Sequence, residues 1–215
     1  SPPGDHSMSD KQTHRLVKNP QISARHLADY MAATDIRKRS ILVGCKYQTL
    51  ARVVQHNEAK QIVSKFLRTE NPEIGSLSEA AEKLRTRLAD STFDRDLYDH
   101  NADYIDRFAK VSHLVSLPEA ELLPPGKGQP ITLGDVKVTP DLQLRFRRLT
   151  KTNKVKIGAA TLRYAKGTSL KPEVAEWQSA FLLGYLNLVE ADTDAEPERK
   201  LCLTIDAYAG VAYPA

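Results

Sequence analysis

The sequence predicts an α+β fold in two parts: a helical half over 21–115, then a basic mixed α/β half over 131–215. Three observations carry this. Apolar residues recur at helical spacing up to Val111, a Pro/Gly-rich run follows over 116–130, and beyond it the apolar period shortens to two. At 215 residues the chain can bury a sizeable core without disulfides.

Residues 1–20 are expected to be a flexible N-terminus or an expression remnant. Ser1 to Ser7 are Pro/Gly/polar with no apolar signal-peptide region, and they precede a start at Met8. Ser23 is a good N-cap for a helix carrying Leu27, Tyr30 and Met31 on one side, and Asp35 can cap a second that ends before Gly44. Ala51 to Gln55 has extended character. Ala59, Ile62, Val63, Phe66 and Leu67 then define one apolar helical face. Ser76 and Glu79 form an S-x-x-E capping box ahead of Ala80, Leu84 and Leu88, and a further helix is expected from about Phe93 to about Val111.

Pro118, Pro124, Pro125, Gly126, Gly128 and Pro130 oppose regular structure, so the linker belongs there. From Val136 to Phe146 apolar and polar residues alternate, which predicts one half-buried strand. Thr150 to Asn153 supplies a turn, and Val155 to Tyr164 supplies the second strand of an antiparallel hairpin. Pro172 suits the first turn of a helix whose apolar face holds Val174, Trp177, Phe181, Tyr185 and Leu188. Leu201, Leu203 and Ile205 begin a last strand, which Gly210 breaks or turns.

Several function classes lose support on residue pattern. Cys45 and Cys202 lack paired zinc or redox spacing and read as buried or semi-buried thiols in a reducing, cytoplasmic compartment. The histidines His26, His56, His100 and His113 have no metal-binding spacing. Gly126-Lys127-Gly128 lacks the pattern of a phosphate loop. The most apolar segment, Val174 to Val189, is interrupted by Glu176, Gln178 and Asn187 and reads as a core helix rather than a membrane span.

The net charge is +4, but its distribution is uneven. From Leu142 to Pro172 there are nine Lys/Arg and no Asp or Glu, which leaves the rest of the chain acidic on balance. Solvated faces usually mix both signs. Arg145, Arg147, Arg148, Lys151, Lys154, Lys156, Arg163 and Lys171 are therefore the candidate nucleic-acid contacts, tracking phosphates without reading bases. Tyr164 is a candidate stacking residue or packing material. Asp94, Asp96, Asp99, Asp103 and Asp106 make the helix over 93–111 acidic. It reads as a solvated face or as a protein-binding, charge-mimicking surface.

The order hairpin, helix, strand, with Pro140-Asp141 in the first strand, resembles the core of the PD-(D/E)xK nuclease superfamily, the restriction-endonuclease-like fold. The resemblance covers 131–213. It implies that Asp141 ligates a divalent metal, joined by an acidic residue on the next strand and a lysine two positions beyond it. Mg²⁺ wants such oxygen ligands, and phosphodiester hydrolysis needs charge stabilised at the attacking and leaving oxygens. The corresponding positions here fall near Ala159 and Thr161, which can supply neither function. Asp141 alone remains of the short motif, with Lys166 and Glu173 as relocated catalytic candidates and Glu176 and Glu58 behind them. A Pro-Asp pair also favours turns, and Asp141 can instead pair with an arginine.

Three readings follow. The first is a nucleic-acid-binding protein on a divergent, catalytically impaired nuclease-like core, needing no cofactor to bind. The second is an interaction protein whose acidic helix docks a partner. The third is a Mg²⁺-dependent nuclease with relocated residues.

Overall fold

The computed structural model describes residues 14–16, 21–49, 55–190 and 193–215. Of the N-terminus expected to be flexible over 1–20, residues 14–16 are described and form a strand, and the rest lies outside the described residues, as does most of the extended stretch at 51–55. The fold is α+β, as the change of period predicts.

Short strands β1 (His14–Leu16) and β3 (Tyr47–Thr49) pair antiparallel. Between them come β2 (Gln21–Ser23), α1 (Ala24–Met31) and α2 (Asp35–Lys46). Ser23 caps α1 as expected, its hydroxyl accepting from the His26 N–H at 3.2 Å. The buried residues of α1 are the small Ala24 and Ala28 rather than Leu27, Tyr30 and Met31, because this helix lies close against another helix. Helix α2 continues through Gly44 instead of stopping before it.

Helices α3 (Asn57–Arg68), α4 (Ile74–Thr86) and α5 (Thr92–Val111) form the expected helical group. Ser91 caps α5. The capping box at Ser76 does not form. Helix α4 starts three residues earlier, at Ile74, and the Ser76 hydroxyl donates to the Glu73 carbonyl at 2.6 Å. The buried stripe of α4 is Leu77, Ala81 and Leu84, while Leu88 lies beyond the helix end and is 93% exposed.

A 3-10 turn over Ser112–Leu114 leads into the Pro/Gly-rich segment. That segment is not wholly irregular: β4 (Glu121–Leu123) lies within it and pairs with β7 (Leu144–Leu149). The alternating stretch expected as one strand divides at Pro140. Before it, β5 (Ile131–Leu133) and β6 (Val136–Thr139) join β2 in a three-stranded sheet. After it, β7 belongs to a five-stranded sheet. Pro140 has no N–H for a ladder, so a change of sheet there costs no hydrogen bond.

The five-stranded sheet has the order β10-β9-β8-β7-β4. Strands β7 and β8 (Val155–Arg163) form the expected antiparallel hairpin, and α6 (Pro172–Val189) crosses over to β9 (Glu196–Asp206), parallel to β8. Gly210, at φ +74°, makes the turn into β10 (Val211–Pro214). Pro172 opens α6, but Trp177 and Leu188 point to solvent. The helix instead buries Val174, Ala175, Gln178, Ser179, Leu182, Tyr185 and Leu186.

Period-2 alternation sends the side chains of the sheet to two cores. Leu144, Phe146, Ala160, Leu162, Leu203 and Ile205 pack with α3, α4 and α5, against Val63, Leu84, Tyr104, Ile105 and Phe108. Ala159 and Cys202 face α6, against Leu182, Tyr185 and Leu186. One apolar core thus joins residues from both sides of the Pro/Gly-rich segment. Each fully buried large side chain contributes about 1.5–3 kcal/mol. No helix among the described residues is long and apolar enough to cross a membrane.

Candidate functional site

The cations that are contiguous in sequence separate to two ends of the sheet. Arg147, Arg148, Lys151, Lys154 and Lys156 lie at the β7–β8 turn, whereas Arg163, Lys166 and Lys171 follow the far end of β8. Acids from distant segments meet several of them. Arg145 donates to the Pro125 carbonyl at 2.6 Å and lies 3.7 Å from Glu190. Arg147 lies 3.9 Å from Glu121, Arg148 pairs with Glu198, and Lys156 pairs with Glu196 at 2.7 Å. Lys151 and Lys154 are exposed and have no ion pair among the described residues, as is also true of Lys171 at the start of α6.

The β8–β9 ladder is irregular between Ile157 and Ala159, where β9 carries extra residues opposite Gly158. The irregularity leaves Arg199 and Lys200 exposed beside Glu198, again without an ion pair among the described residues. These two residues escaped the sequence reading because they lie well beyond the basic run, which ends at Pro172. The parallel pairing of β8 with β9 unites them with the hairpin.

The far end of the sheet holds a different arrangement. Asp141 sits just before β7, where its Oδ2 accepts from Lys60 Nζ of α3 at 3.0 Å and its Oδ1 from Gln143 Nε2 at 2.7 Å. Its partner is therefore a lysine, not an arginine. Gln143 is itself buried, its Oε1 accepting from the Leu162 N–H at 2.6 Å. Arg163 is a buried side chain, not part of an exposed basic surface. It reaches Asp29 at 2.9 Å, Gln178 Oε1 at 2.9 Å and the Arg25 carbonyl at 3.4 Å. Burial lowers its affinity for the proton, against the pull of Asp29.

Aromatic rings close this end. Tyr104 lies 4.5 Å from Tyr164 and 5.3 Å from His56, ring centre to ring centre. Tyr164 is packed at 8% exposure, which favours packing material over a stacking platform. Burial, and then the charges of Lys60, Arg25 and His100, push His56 down to about 4. Burial also raises the Tyr104 phenol, with Asp141 next in effect.

The other relocated candidates stand apart in their bonding. Lys166 pairs with Asp103 at 3.1 Å, and Glu58 makes a two-pronged pair with Arg87. Glu173 and Glu176 are exposed on the first turns of α6. Among the described residues no group of three or more His, Cys, Asp or Glu gathers as a cation site. On the acidic helix, Asp103 and Asp106 are held by Arg85, and Asp99 by Arg95.

The chain matches no family model, no curated protein and no solved structure. What the two ends of the sheet can do therefore rests on their own chemistry. The hairpin end offers exposed cations to solvent, and the Asp141 end holds paired charges in a partly closed polar cluster.

Proposed function

We propose that the protein binds nucleic acid through the β7–β8 end of its five-stranded sheet, holding phosphates without reading bases. The observation that carries this reading is the gathering of Lys151, Lys154, Arg199 and Lys200, none in an ion pair among the described residues, at one end of one sheet. Arg147, Arg148 and Lys156 flank them in ion pairs with Glu121, Glu198 and Glu196, and one partner of each pair is more than a third exposed. Such surface pairs are worth about 0–1 kcal/mol, so a polyanion can displace the carboxylates. The nuclease-like resemblance rests on the order hairpin, helix, strand alone, since Pro140 and Asp141 lie between β6 and β7 rather than within a strand. Asp141 serves in this reading as the acceptor for Lys60 and Gln143, and binding needs no Mg²⁺.

The test is binding to short labelled single- and double-stranded DNA and RNA across a salt series, with Mg²⁺ present and cleavage followed in the same tubes. Four displaced counterions correspond to a log–log salt slope of about −3 to −4 on duplex DNA. That slope should collapse when Lys151, Lys154, Arg199 and Lys200 are changed to Gln. Absence of binding at low salt sinks the reading and leaves a protein partner, for which Ile36, Leu42 and Val43 stand exposed on α2. Mg²⁺-dependent cleavage lost in Asp141→Ala would instead make the protein a nuclease.

A further inference from the structure

Helix α2 is apolar on two sides, and only one of them is covered. Ile41 is buried and Cys45 half-buried against the body, whereas Ile36, Leu42 and Val43 are 85%, 51% and 55% exposed. Ile36, Arg39 and Val43 follow one another at intervals of three and four residues. That spacing puts them together on the side of the helix away from Ile41, with Leu42 at the flank. Single apolar side chains are ordinary on a surface, but three on one helix that buries so little call for a partner. The same stretch is strongly basic. Arg37, Lys38, Arg39 and Lys46 stand on α2 against Asp35 alone, and the neighbouring strands β1 and β3 add Arg15 and no acid. Asp29 of α1 is held by Arg163. Arg37 donates to the Ser40 hydroxyl at 3.4 Å and Lys38 lies over the Tyr30 ring, while Arg37 and Arg39 are exposed and in no ion pair among the described residues.

We propose that the open side of α2 docks on an anionic lipid bilayer, Ile36, Leu42 and Val43 entering the boundary between headgroups and acyl chains while Arg37 and Arg39 meet headgroup phosphates. Cation and apolar side chain alternate along one arc of this helix instead of occupying opposite faces. A nucleic acid would satisfy the guanidinium groups and leave the three apolar side chains in water. A protein groove that takes up a helix closes round it, but α2 keeps Ile41 and Cys45 against the body and offers a single side. A bilayer surface stacks anionic headgroups directly above an apolar layer, so long arginine side chains reach the one while short apolar neighbours enter the other. The face lies on a different segment from the β7–β8 hairpin and does not depend on the nucleic-acid reading.

The experiment is cosedimentation of the full chain with vesicles of phosphatidylcholine alone and of phosphatidylcholine mixed with phosphatidylserine, across a salt series. The expected result is binding to the mixed vesicles that weakens as salt rises, and far less binding to phosphatidylcholine alone. Ile36→Ser with Val43→Ser should lower the partition on the order of tenfold or more. Arg37→Gln with Arg39→Gln should lower it about fivefold for each charge removed. Both pairs change exposed side chains, so the melting temperature should stay at that of the parent. If a pair melts lower, the single change Ile36→Ser, at the most exposed position, decides. The Ser pair should leave oligonucleotide binding intact, and Lys151→Gln with Lys154→Gln should weaken oligonucleotide binding but not vesicle binding, so the two readings fail separately. Equal binding to both kinds of vesicle, or binding indifferent to the Ser changes, overturns the proposal. No binding to the mixed vesicles also overturns it and assigns the face to an acidic protein surface.

Discussion

Gly158 lies directly against the backbone of Leu201: a Cβ at residue 158 would sit 2.0 Å from the Leu201 carbonyl oxygen and 2.2 Å from its Cβ. Neither atom is the end of a flexible side chain, so the β9 backbone itself would have to move. Gly158→Ala should destabilise the protein by about 3 kcal/mol. The measurement is the urea midpoint, which should fall with the slope unchanged.

Asp141 and Lys60 should be energetically coupled. Asp141→Ala strands the Lys60 ammonium and Gln143 Nε2, and should cost about 1–3 kcal/mol, the range for a partly exposed pair. Lys60→Met in the same chain should recover part of that loss. A double-mutant cycle with no coupling term would show that the pair does not hold the start of β7.

His56 gives the fold a defined acid sensitivity. The unfolded imidazole takes its proton near pH 6.5, but the folded one only near 4, so between these values the unfolded chain binds more protons. The contribution of His56 is complete above pH 6.5 and is lost as the pH falls towards 4. Denaturation at stepped pH should therefore show a shallower decline for His56→Gln than for the parent over that window. Parallel curves would mean that the imidazole is protonated equally easily in both states.

Arg163 ties α1 to the sheet through Asp29 and the Arg25 carbonyl, and α6 through Gln178. Arg163→Met should cost about 3 kcal/mol by leaving those acceptors unpaired in a buried setting. Hydrogen exchange should rise first over residues 24–31. Uniform acceleration across α3 to α5 would place the loss elsewhere.

Periodicity located the long helices and the β7–β8 hairpin because each has one buried face whose spacing survives tertiary packing. It misled where local chemistry competed. The alternation across Val136 to Phe146 continues through Pro140, so the division between two sheets is invisible until the missing N–H is counted. Leu88 fits the α4 spacing, yet the helix ends at Thr86, where Arg87 turns out to meet Glu58 and the Tyr98 ring. The site was less legible still. The basic run is contiguous in sequence, but a nine-residue strand carries Lys156 and Arg163 towards opposite ends of the sheet. Lys60, Arg25 and Tyr104 come to the Asp141 end from three separate helices, and no spacing rule connects them.

The core that joins α3, α4 and α5 to the sheet also sets an order of events at the ribosome. Tyr104, Ile105 and Phe108 are translated about a hundred residues ahead of Leu203 and Ile205, against which they are finally buried. At roughly 5–20 residues per second, the helices spend something like 5–20 seconds with part of that face uncovered. They can pack on one another in this time but cannot complete their shared surface. A nascent chain paused before β9 displays the aromatic stripe that holdase chaperones and proteases select. Slow codons in the α6–β9 stretch would therefore lower the yield of folded protein more than the same pauses placed after Ile205.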